Sequence, residues 1–70
     1  MHIERLLTPR EKEIFQMIVK NMDTEVISEK LHISEKTVRN HISNVIQKLG
    51  VKGRSQAILE LIKIGEIKLK

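Results

Sequence analysis

The chain has 70 residues, a mass of 8.1 kDa, no cysteine, one proline and a single aromatic side chain, Phe15. That length makes one small domain, which buries only ~60–65% of the surface its unfolded form exposes. The missing cysteines exclude a disulfide framework and a Cys-ligated zinc site. No apolar run approaches the ~18–20 residues that span a bilayer, and no secretory leader is recognisable. A reduced, soluble, cytoplasmic protein without a membrane partner is expected. One aromatic ring also argues against a single-strand binder that stacks bases on aromatic platforms. So short a chain has little room for a catalytic cleft, so no enzyme activity and no small-molecule substrate are expected.

Charge is unevenly distributed. The total is +4, from 13 basic and nine acidic residues. The 24 residues from Lys36 to Leu59 hold five basic side chains (Lys36, Arg39, Lys48, Lys52, Arg54) and no acid. The remainder, with eight basic and nine acidic residues, has a net charge of −1. All the excess positive charge therefore lies in one stretch, as a polyanion partner would require.

Four helices are expected in chain order. Thr8-Pro9-Arg10-Glu11 reads as a capping box with proline at the first helical position. Ile14, Phe15, Ile18 and Met22 then form one apolar face, Asn21 is the stop, and Leu6 and Leu7 fold back onto the core. A second helix spans about Thr24 to Leu31, capped by Asp23 or Thr24, with Ile27 and Leu31 inward and His32 in the following turn. The third starts after the Ser34 cap, runs from Glu35 to about Leu49, and stops at Gly50. The fourth begins near Ser55 and ends at Gly65, with Ala57, Ile58, Leu61 and Ile64 inward. Ile67-Lys68-Leu69 alternates too briefly to count as a strand.

Helix 3 is the informative element. At 100° per residue, Val38, Ile42, Val45, Ile46 and Leu49 share one stripe. Lys36, Arg39, Asn40, Ser43 and Gln47 fall on the opposite arc, with Thr37, His41 and Lys48 on a flank. Arg reads guanine O6/N7, Asn reads adenine N6/N7, and Ser serves either. The flank carries phosphate-contacting types. Two short helices joined by a tight turn, the second basic and amide-rich outside, form a helix-turn-helix.

Leu7-Thr8-Pro9-Arg10-Glu11, Ile33 through His41, Lys48-Leu49-Gly50-Val51 and Arg54-Ser55-Gln56-Ala57 together resemble the LuxR-type helix-turn-helix family. The resemblance covers nearly the whole chain and is strongest to a stand-alone member that acts in sporulation. It implies an all-α, four-helix DNA-binding domain over residues 1–70, with a helix-turn-helix unit at about 24–49 and a dimerisation helix at about 55–64. By position it places base reading on Lys36, Arg39 and Asn40, with Ser43 and Asn44 as neighbours. Backbone contacts are expected from Ser34, Thr37, His41, Gln47, Lys48, Lys52 and Arg54. Family members commonly carry Glu-Ile-Ala in helix 2, where this chain has Val26-Ile27-Ser28. Ser28 keeps the small volume needed beside helix 3, and its hydroxyl can bond a carbonyl one turn back. Val26 puts an apolar residue where an exposed acid is usual.

Helix 4 has more apolar surface than one buried side needs. Leu59 lies about 160° from Leu61, with Ile62 at the margin. Leu59, Ile62 and Lys63 are the expected homodimer contact. His2, His32 and His41 lack converging partners for a metal. The expected function is sequence-specific binding of double-stranded DNA as a dimer, with no cofactor and with RNA polymerase as a further candidate partner at the nucleoid. Two other readings stand beside it: the effector domain of a response regulator, and a helical protein-interaction adaptor whose basic face binds an acidic protein.

Overall fold

The computed structural model describes residues 7–69. It contains four helices and, among the described residues, no strand: α1 (Pro9–Val19), α2 (Thr24–Leu31), α3 (Glu35–Leu49) and α4 (Arg54–Lys63). The expected contribution of Leu6 lies outside the described residues, but Leu7 is buried in the core.

Local chemistry sets each boundary. Thr8 Oγ1 accepts from the Glu11 amide at 3.1 Å, and Glu11 Oε1 accepts from the Thr8 amide at 3.0 Å, which completes the capping box. Asp23, not Thr24, caps α2 by accepting from the Val26 amide at 3.0 Å. Ser34 caps α3 through the Thr37 amide at 3.0 Å. Gly53 begins α4 without a side-chain cap.

All four helices stop in the same way. Asn21, His32, Gly50 and Gly65 take left-handed φ values of 71°, 59°, 69° and 82°. The next amide in each case reaches five residues back: Met22 to Met17, Ile33 to Ser28, Val51 to Ile46, and Glu66 to Leu61. These are Schellman stops, which satisfy carbonyls the helix leaves open. Asn21 and Gly65 thus act as the expected stops, one residue beyond the caps Lys20 and Ile64. His32 is no passive turn residue. It holds the left-handed position that makes the α2–α3 turn tight, a conformation a residue with a Cβ adopts at some cost.

α3 is the hub, packing against each of the other three helices. Its Val38, Ile42 and Val45 are buried with Ile14 and Phe15 of α1, Ile27 of α2, and Ala57 and Leu61 of α4. Ile46 and Leu49 are half-buried against that core. Ser28 is buried and donates to the Glu25 carbonyl at 2.7 Å, as its size and hydroxyl suggest.

The C-terminal segment departs from expectation. Ile64, assigned inward by helical period, is 53% exposed. Ile67 is buried in its stead, because the reversal at Gly65 turns the chain back along Leu61. Gln16 of α1 clasps that segment: its Nε2 donates to the Lys68 carbonyl at 3.1 Å and its Oε1 accepts from the Lys68 amide at 3.0 Å.

Candidate nucleic-acid interface

The outer face of α3 is continuous and polar. Lys36, Arg39, Asn40, Ser43, Asn44 and Gln47 are all exposed. At 100° per residue they share an arc of about 140°, opposite the buried Val38–Ile42–Val45 stripe. The rigid core behind the helix therefore fixes the direction of six side chains rich in hydrogen-bonding groups. Ser34 is exposed at the N-terminal end of this face, where its hydroxyl also donates to Thr37 Oγ1 at 2.9 Å.

The two flanks of this face differ. On one, Thr37 and His41 are half-buried, and Lys48 reaches across to α1. Lys48 Nζ donates to Glu11 Oε1, forming an ion pair with a carboxylate only 5% exposed. On the other flank, Glu35 Oε1 accepts from Arg39 Nη1 at 3.1 Å and from Thr24 Oγ1 of α2 at 3.3 Å. Lys52 and Arg54 lie beyond the C-terminal end of α3, both exposed. The Lys52 amide donates to Gln56 Oε1 at 2.9 Å, which fixes the loop before α4.

The match to known proteins is extensive. Residues 5–61 match the model of bacterial regulatory proteins of the luxR family. The chain belongs to the LuxR family. Within it, the chain is 61% identical over 64 residues to the spore germination protein GerE of Bacillus subtilis, covering 91% of this chain and 86% of that one. A solved structure of the transcription factor GerE superposes with a TM-score of 0.93 at 66% identity, covering 96% of this chain and all of that one. The transcriptional regulatory protein DegU of Brevibacillus brevis is 46% identical over 65 residues, 93% of this chain but 28% of its own length. This LuxR-family chain is a GerE-like transcription regulator with a helix-turn-helix DNA-binding domain.

The structure adds two residues that sequence reasoning missed. Glu35 was legible in principle, since Glu four residues before Arg is the favourable helical pairing order. Glu11 was read only as a cap. Its second role, holding Lys48 from 37 positions away, leaves no local signal.

Burial alone would raise the Glu11 pKa. The hydrogen bond from Lys48, the Thr8 amide, and the positive charges of Lys48 and His41 outweigh it and hold the carboxyl below its ordinary value. A depressed folded pKa contributes stability that is present above the unfolded value and lost as pH falls through the folded one. Lys48→Met should therefore cost about 1–2 kcal/mol at pH 7, the range for a stranded polar group that water partly reaches. It should also flatten the fall in stability between pH 6 and 3, since both the hydrogen bond and the charge by which Lys48 lowers the Glu11 pKa are then gone. Thermal melts across that range check this, and a variant curve parallel to wild type would remove the ion pair from the account.

Proposed function

We propose that this regulator binds double-stranded DNA sequence-specifically as a homodimer, with α3 in the major groove. The observation that carries it is the exposed polar arc of α3, free of acids from residue 36 onward and aimed by a buried opposite face. Lys36, Arg39, Asn40, Ser43 and Asn44 face the bases in this reading. Ser34, Thr37, His41, Gln47, Lys52 and Arg54 hold the phosphates. Lys48 joins them only through whatever charge its pairing with Glu11 leaves available.

The unit that reads DNA spans residues 24–49, and the stretch of about 55–64, most of which is α4, pairs two copies. Leu59 is 63% exposed and lies with Lys63 along a shallow groove that also includes Gly50, Val51 and Gln56. Ile62 is half-buried at its margin. Two copies joined there would present α3 to major grooves about one helical turn, ~10 bp, apart. The likeness to a spore germination protein supports a role in sporulation. DNA binding would place the protein at the nucleoid, with RNA polymerase as a further partner. No cofactor and no catalysis enter this reading, and no described helix is long and apolar enough to cross a membrane.

The test is selection of a preferred duplex from a random pool, followed by titration. Arg39→Ala should cost ~1–3 kcal/mol on the selected duplex and relax preference at one base position. Lys52→Ala should weaken all duplexes alike and lower the salt slope by about one unit. A protein-interaction adaptor would show no salt-dependent shift with any duplex. An equal loss on selected and scrambled duplexes would make Arg39 a phosphate contact.

A further inference from the structure

Glu35 is the only acid in α3. The next one along the chain is Glu60. A carboxylate beside phosphates repels them, so it weakens binding to every duplex. A surface shaped for affinity alone would leave the position neutral or basic.

Its bonds point to a different role. The carboxylate is gripped from two helices, by Thr24 Oγ1 at 3.3 Å and by Arg39 Nη1 at 3.1 Å, both on Oε1. Glu35 sits in the first turn of α3, where the helix dipole favours a negative charge. An arginine on its own is a long, flexible cation that takes any phosphate within reach. Tied to Glu35, the Arg39 guanidinium has a set direction. It has five N–H donors and spends one on Glu35, so a pair remains for the O6/N7 edge of guanine. Arg39 is still 57% exposed at its side chain, so the tether leaves the fork accessible.

We propose that Glu35 determines sequence specificity as a positioning residue, orienting Arg39 toward a base edge and opposing its capture by phosphate. This rests on the DNA-reading function above. As an exposed ion pair, Glu35–Arg39 contributes little to stability. Its effect lies in which contact Arg39 makes.

The test compares wild type, Glu35→Gln, Arg39→Ala and the double variant on a duplex selected by wild type and on a scrambled duplex, with helicity matched by circular dichroism. Glu35→Gln is nearly isosteric and keeps an oxygen for Thr24, so the fold is retained, while loss of the charge leaves Arg39 a neutral hydrogen bond about half as strong, which phosphate outcompetes. Scrambled-duplex affinity should rise several-fold in Glu35→Gln, with a salt slope steeper by about one unit as Arg39 turns to phosphate. The ratio of selected to scrambled affinity should fall about tenfold, the loss of one good base contact. In the Arg39→Ala background the same change should leave the ratio where Arg39→Ala alone put it. A rise of equal size on both duplexes would reduce Glu35 to a general charge and overturn the proposal. So would a loss of ratio that persists without Arg39. If wild type selects no sequence, the DNA-reading function itself fails, which is a separate and visible outcome.

Discussion

Phe15→Ala should leave the chain largely unfolded at 25 °C. Phe15 is the only aromatic residue and the largest of the fully buried side chains, at the centre of a core drawn from all four helices. Deleting a buried phenylalanine costs about 3–5 kcal/mol, from lost transfer energy plus the cavity that remains. A domain of this size with no cysteine for a disulfide draws only about 3–5 kcal/mol from its core. The two ranges coincide, so the variant has little or no net stability. Phe15→Leu, which keeps most of the volume, should retain a cooperative transition at reduced Tm. Circular dichroism melts decide between these outcomes. A Phe15→Ala transition within a few degrees of wild type would mean that the core repacks around the loss.

The second large effect is expected in assembly. Leu59→Glu places a carboxylate at the proposed two-fold contact, where each copy meets the same patch on its partner. Two like charges held there out of water would weaken the dimer by several kcal/mol. Lys63, one turn further on the same groove, offers the new carboxylate an intrahelical partner worth only ~0.2–0.5 kcal/mol, too little to rescue the contact. The fold itself should survive, because Ala57 and Leu61 hold α4 to the core and Leu59 does not take part. DNA affinity should drop with the dimer, as the two half-site contacts no longer act together. Sedimentation of both proteins, each folded, gives the answer. Equal masses would mean that α4 is not the pairing element.

How much of this was legible in the sequence follows from the range of the interactions. Thr8, Ser34 and Gly50 act on amides or carbonyls within a few residues, so their caps and stops can be read from spacing alone, while Asp23 and Thr24 both fit the start of α2 until the Val26 amide decides. The α3 stripe and its polar arc are equally local, because one period governs both. The failures lie where the chain leaves a regular element. Helical period places Ile64 on the face of Ala57 and Leu61, but α4 has ended by then, and the turn at Gly65 brings Ile67 inward instead. The pairing of Lys48 with Glu11 joins residues 37 apart, and the Gln16 clasp on Lys68 joins residues 52 apart. Such contacts depend on tertiary geometry, which no window of sequence contains. At the candidate site, the outward residues of α3 and the Glu35–Arg39 spacing were readable, while the Thr24 contact that holds Glu35 depended on how α2 meets α3.

The clasp between Gln16 and the backbone of Lys68 also bears on how the protein is made. α1 emerges before the other three helices, but its Ile14 and Phe15 share their core with Leu61 and Ile67, and its Gln16 grips residue 68. The first helix therefore cannot reach its final surroundings until almost the whole described chain has left the ribosome. Until then its apolar face is open to other chains, the condition under which nascent proteins aggregate or engage chaperones. Completion of the fold is tied to the arrival of Ile67, the last buried residue among those described, so a ribosome that stalls before residue 67 holds a domain that cannot close.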